Sequence, residues 1–289
     1  MKKKLDNAIN DWTLATQTVG SGLRSAVHLI VMPLNTPMTM TETAAVPRLR
    51  FGILLWIAGI LGVVVITATV LPQLLGQVTL PAPLWVISLA SLAQSGLLLA
   101  LAVWSGVGLA PAVGLRAPAF EAAVTGRPVG RALRSQLLPG LTAGVLGGIL
   151  LVASYRYAPA SIAAVQERFS LPIVARVLYG GITEELLLRW GFMTALVWAA
   201  WRFLQNRRGA VRTVFVWIAI ASSSLVFGAG HLPAASALVG ALDANIVAWV
   251  IGVNTAFGVL FGCLFWRYGL EAAMIAHGVA HVVNYLLNT

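Results

Sequence analysis

Six times along this chain a run of about 20 or more mostly apolar residues passes, and a seventh, shorter run carries two histidines. A run of that length crosses the hydrocarbon core of a bilayer as a helix. The runs are continuous rather than alternating, which excludes a transmembrane barrel. They lie at 51–75, 82–110, 137–155, 171–200, 213–230, 246–266 and 270–287. The expected fold is all-α: a polytopic transmembrane helical bundle of about seven spans, within a range of six to eight. Composition excludes the alternatives. Of 289 residues only 10% are charged and 59% are hydrophobic, whereas a soluble domain carries about 25% charge. A soluble fold of this size has too much surface to hide that much apolar area, and a disordered chain would be far more polar.

The few charges set the topology. Lys2, Lys3 and Lys4 are followed by polar residues and not by an apolar run, so no cleaved signal is expected. Residues 1–50 read as a cytoplasmic N-terminal arm, with 22–34 a short segment on the membrane surface. Arg116, Arg127, Arg131, Arg134, Arg202, Arg207, Arg208, Arg212 and Arg267 fall in loops on the side of that arm. Arg156, Arg168 and Arg176 fall on the other. Lysine occurs only at positions 2–4 while arginine occurs 16 times, a bias that suggests a bacterial source; positive loops stay inside, so the expectation is an integral protein of a bacterial inner membrane, N-terminus in the cytoplasm and C-terminus outside. The net charge of +10 is spread over loops and makes no nucleic-acid face. The single Cys263 allows no disulfide within the chain. Gly140, Gly144 and Gly148, and again Gly258 and Gly262, recur at intervals of four, the spacing that lets helices approach closely in lipid.

Ionisable groups inside a span are costly and usually functional. Glu184 and Glu185 are the acids that sit within an apolar run, and Arg189 is the basic residue beside them. His231, His277 and His281 lie in the last three runs. Glu185 and Arg189 are four apart and share a helix face, so they can pair. Glu184 is turned away by about 100° and should face a cavity or another partner. His277 and His281 are also four apart, with Asn284 three further on. Three histidines and a carboxylate suit a divalent metal, Zn2+ or another. The same groups can activate water without metal, with Glu184 as base and histidines as donors. Blander readings stand beside these: a structural ion pair, and buried histidines that only hydrogen-bond. Other chemistries are missing their residues. There is no HExxH and no aspartate inside a span, and Ser222, Ser223 and Ser224 lack the flanking glycines of a strained nucleophile turn.

Three segments together resemble one family. EELLLR, from Glu184 to Arg189, resembles the EExxxR of the CPBP family of CAAX-protease and bacteriocin-processing (Abi-type) membrane peptidases. FGAGH, ending at His231, resembles its FxxxH, and the segment FWRYGLEAAMIAHGVAH resembles its final motif. The loop LRAPAFEAAVTGRP is similar to bacterial members, and the resemblance covers about residues 110–288. It implies an intramembrane endopeptidase acting on a membrane-associated peptide or protein, with the lipid bilayer as its medium. Carried over, Glu184 activates the water. His231 and His277 hold the water, a metal or the developing oxyanion. Glu185 and Arg189 hold the geometry. His281 stands where the family has Asn or Asp, a substitution that favours metal binding and removes an amide. The implied organisation is an arm at 1–50, two anchoring transmembrane helices at 51–110 and a peptidase core at 111–289. Rival readings are a transporter or ion pathway built on the same Glu and His cluster, and a non-catalytic immunity or scaffold protein.

Depth poses a problem. His231 lies 19 residues after Arg212, while His277 lies only 10 after Arg267. Straight helices would put them at different levels. A tilt, a break at Gly180–Gly181 or a dipping loop at 267–271 is needed to bring them together, with irregular backbone allowed where it lines a cavity.

Overall fold

A backbone denied water must bond to itself, and every long apolar run becomes a helix. The computed structural model describes residues 46–76, 81–169 and 171–288, and among them there is no strand. Most of the arm, including the segment at 22–34, lies outside the described residues. The elements are α1 (Arg48–Thr69), α2 (Leu71–Leu75), α3 (Leu84–Val113), α4 (Pro118–Val124), α5 (Val129–Ser154), α6 (Ala160–Arg168), α7 (173–204), α8 (Thr213–Gly230), α9 (Leu232–Val239), α10 (Ala244–Tyr268) and α11 (Leu270–Asn288). Residues 44–289 form one compact unit.

Six segments are long and apolar enough to cross a membrane, those of α1, α3, α5, α8, α10 and α11. The remaining long helix, α7, carries the internal charges. It runs antiparallel beside α1: Phe51 meets Trp190 with ring centroids 5.6 Å apart, and Thr183 Oγ1 donates to Gly59 O at 2.6 Å. The bundle is therefore polytopic and all-helical, as expected. The third span begins at Val129 rather than 137, because Arg131 and Arg134 stand on an exposed face of its first turns and do not end it. The first begins at Arg48, inside the range assigned to the arm.

The spaced glycines are contact points. A Cβ on Gly144 would lie 2.6 Å from Val279 Cβ, and one on Gly148 would lie 2.5 Å from Val283 Cβ, so α5 and α11 touch backbone to side chain. Gly258 and Gly262 do the same for α10 against Ser224 and Ile220 of α8. Antiparallel α1 and α7, antiparallel α8 and α10, and the bond from Leu270 N–H to Arg116 O (3.0 Å) put Arg48, Arg116, Arg202, Arg212 and Arg267 at one end of the bundle. Arg156 and Arg176 are at the other. The expected sorting of arginines is thus present in three dimensions.

Candidate active site

The site is built where α7, α8, α10 and α11 meet. Over Arg176–Glu184 and Leu186–Met193 α7 is wound as a π-helix, wider than an α-helix. Two threonines follow that register: Thr194 Oγ1 donates to Arg189 O (3.1 Å), and Thr183 Oγ1, whose proton goes to Gly59 O, lies 3.2 Å from Leu178 O, each five residues back. Such widening concentrates at functional sites. Gly180 and Gly181 face α11 at its thinnest point. A Cβ on Gly180 would lie 2.7 Å from His281 Nε2 and 3.4 Å from His277 Nε2, and one on Gly181 would lie 3.1 Å from the Gly278 Cα. The glycine pair therefore widens no gap by a break. It lets two helices close on one another and brings the histidines against α7.

Glu185 and Arg189 are both fully buried. Arg189 Nε lies 3.3 Å from Glu185 Oε2, an ion pair at an angle poor for hydrogen bonding. The guanidinium also donates from Nη2 to Gly258 O (3.1 Å) and sits over the rings of Phe227 and Phe261, 4.8 and 5.6 Å from their centroids. The aromatic faces solvate a cation that water cannot reach. Pairing was legible from the four-residue spacing. A second bond was not: Glu185 Oε1 accepts from His277 Nδ1 at 2.8 Å. A carboxylate only accepts, so Nδ1 carries a proton, and in the neutral ring Nε2 is left with its lone pair. The glycines at 180, 181 and 278 were the signal available in the sequence for that close approach.

His277 Nε2 points to Glu184, whose Oε2 is 3.9 Å away. The Glu184 side chain keeps 17% of its surface exposed, against none for Glu185. Two adjacent glutamates thus have separate situations: one is locked, the other is reachable. The His277 ring is sandwiched between Phe261 (centroids 4.4 Å) and His281 (4.9 Å). His281 Nδ1 is buried with no hydrogen-bond partner. His231 comes in at the end of α8. Its Nδ1 donates to Phe227 O (2.8 Å), and its ring stands edge-on to Phe227, which in turn stands edge-on to His277. Glu184, Glu185, Arg189, His277 and His281 are therefore brought together directly, and His231 joins them across one phenylalanine. Asn284 is buried one turn further along α11 and bonds to Asn288 instead. Ser223 and Ser224 spend their hydroxyls on Ile220 O of their own helix.

The depth mismatch is resolved at the start of α11. Leu270, Glu271, Ala272 and Ala273 are all buried. Glu271 Oε1 accepts from the backbone N–H groups of Ala119 (2.7 Å) and Phe120 (2.9 Å), so α4 lies over this end. Gly269, at φ +114°, makes the turn beneath it, where a Cβ would strike Pro118. The helix begins inset from the basic end, and His277 reaches the level of Glu185.

Metal binding needs three or four protein donors around one point. Among the described residues no three His, Cys, Asp or Glu side chains gather so as to hold a metal ion. Glu184, His231, His277 and His281 as placed do not fit a metal, and no step below runs through one.

Fold and site together define a class: a helical membrane protein with a carboxylate–imidazole pair held inside the bundle. Residues 166–283 match the family described as Type II CAAX prenyl endopeptidase Rce1-like. No curated protein and no solved structure matches the chain. The match covers less than half of the 289 residues, and it supports the CPBP and CAAX protease family that the three motifs resemble. It supports a membrane peptidase in general terms, and with six apolar helices it indicates an integral membrane protein.

Proposed function

We propose that the chain is an intramembrane endopeptidase that cleaves a peptide bond of a membrane-associated protein or peptide. The observation that carries the reading is the pair of acceptors, Glu184 Oε2 and His277 Nε2, 3.9 Å apart and facing one another. A water bound between them donates one hydrogen bond to each and turns a lone pair outward. Glu184 takes a proton as the water oxygen attacks the carbonyl carbon, and returns it to the leaving nitrogen when the C–N bond breaks. Glu185 fixes the His277 tautomer through Nδ1, and Arg189 holds Glu185. His281, stacked on His277, stabilises the water or the oxyanion once a ring nitrogen carries a proton toward it, and His231, one phenylalanine away, is the second donor.

The test is turnover of a fluorogenic membrane-associated peptide by purified protein in detergent or nanodiscs. Wild type cleaves and Glu184→Gln does not; equal rates would end the proposal. Because no three metal donors gather among the described residues, chelators are expected to leave the rate unchanged. Loss of activity with a chelator, restored by Zn2+, would replace the metal-free route with a metal-assisted one. The arginine-rich end is proposed to face the cytoplasm of a bacterial inner membrane, which a reporter fused after Thr289 checks by reading on the outer side.

A further inference from the structure

At the end of the bundle away from the arginine-rich loops lies a groove of about 630 Å3 that the peptidase chemistry does not use. Its walls include Tyr157, Ser161, Asp243, Asn245 and Trp249. Two aromatic rings and a carboxylate in one concave site make a receptor for a cation: the ring faces attract it and the carboxylate balances it. The parts are placed for this. Asp243 caps α10, its Oδ1 accepting from Ile246 N–H at 2.8 Å, and among the described residues its second oxygen has no partner. Trp249 is held by the Tyr155 ring, centroids 5.5 Å apart. Tyr157 is 84% exposed, so its ring is accessible from outside the bundle.

The surroundings say which cation. Arg156, exposed, precedes Tyr157 in the chain and adds a positive charge at the same end of the bundle as the groove. The preceding helix, α5, presents exposed Leu146, Ile149 and Leu150 on the way to it. A molecule with an ammonium, a neighbouring phosphate and long apolar chains matches all three features. Tyr and Trp also favour the depth of the headgroups.

We propose that this groove is a binding site for a zwitterionic phospholipid. Asp243, Trp249 and Tyr157 take its ammonium, Arg156 its phosphate, and the outer face of α5 its acyl chains.

Native mass spectrometry of the purified full chain tests it, with phosphatidylethanolamine and phosphatidylglycerol added in equal amounts. The second lipid has the phosphate and chains but no ammonium. Wild type is expected to retain the first at least about fivefold better, the range of a partly desolvated cation–π contact. Asp243→Asn keeps the helix cap, since Asn caps as well as Asp, yet removes the charge. It should bring the two lipids to parity while leaving helicity and peptide turnover unchanged. Trp249→Leu should do the same by another route, and Arg156→Gln should weaken both lipids alike. Equal retention of the two lipids by wild type overturns the proposal. So does an Asp243→Asn variant that keeps the preference, or one whose only change is a raised KM for basic peptides, which would assign the groove to substrate. Should Asp243→Asn misfold, the wild-type lipid comparison and Trp249→Leu still decide.

Discussion

α11 carries a buried carboxylate contact at two places along its length, and the two are built from opposite materials. At its start, Glu271 is held by backbone N–H groups of α4, and nearby Glu121 is held by Arg116 at 2.5 Å and by the Ala117 N–H. The bonded Glu121 raises the Arg116 pKa above its ordinary value, so Arg116 stays charged at any working pH. Two turns further on, His277 meets Glu185, Glu184 and, through Glu185, Arg189. The partners of Glu271 are backbone groups that cannot titrate, and the contact fixes a helix in place. His277 has ionisable side chains for partners, and one of them, Glu184, keeps part of its surface exposed. Burial alone does not separate structure from chemistry. The separation comes from whether the partners can change charge and whether a face remains free.

The comparison is broken most directly at its chemical end. Glu184→Ala should lower peptide turnover by about a thousandfold, the span of a lost general base, while the unfolding temperature stays within error, because its side chain is partly exposed and its nearest charged partner is 3.9 Å away. A large loss of stability would make Glu184 structural. Next, Glu185→Leu leaves Arg189 charged and buried without its partner, which costs about 3–5 kcal/mol. Chemical denaturation in detergent should show it. The double variant Glu185→Leu, Arg189→Met should recover much of that loss without recovering turnover, since the His277 tautomer is no longer fixed. Recovery of both would remove Glu185 from the mechanism.

Gly180→Ala sharpens the contrast by geometry alone. The new Cβ would press on His281 Nε2 at 2.7 Å. Displacing that ring by even part of an ångström should cut turnover roughly tenfold or more, with little effect on KM if His281 acts at the reacting carbonyl. A Gly180→Ala variant with wild-type kinetics would place His281 outside the site.

Much of this was legible in the sequence. The spans follow from apolar length, the Glu185–Arg189 pair from a four-residue spacing, and the candidate cluster of Glu184, Glu185, Arg189 and His277 from the scarcity of ionisable groups at depth. What was not legible depends on how helices meet. The π-winding of α7 leaves no mark in residue type. The Glu185–His277 bond joins residues 92 apart, and only the glycines at 180, 181 and 278 hint at the contact. The early start of α5 was hidden because Arg131 and Arg134 read as loop residues, although an arginine on an exposed helix face serves as well. The expected anchoring role of 51–110 also understates these helices: Gly59 O accepts from Thr183, and Val103 O accepts from Trp190 Nε1 at 3.1 Å, so α1 and α3 brace the site helix.

The smallest effect belongs to the structural end. Glu271→Ala removes the acceptor for two backbone N–H groups at the first turn of α4 and should cost about 1–2 kcal/mol, as a lost helix cap does. Glu271→Gln keeps an oxygen in the same place and should cost less. Because α11 is also held along its length by α5, with Gly140, Gly144 and Gly148 in contact, the helix should stay in register and turnover per folded molecule should stay near wild type. The measurement is a denaturation midpoint set beside a rate corrected for folded fraction. If the rate falls further than the folded fraction does, the inset start of α11 sets the depth of His277 continuously, and the two ends of that helix form one device rather than two.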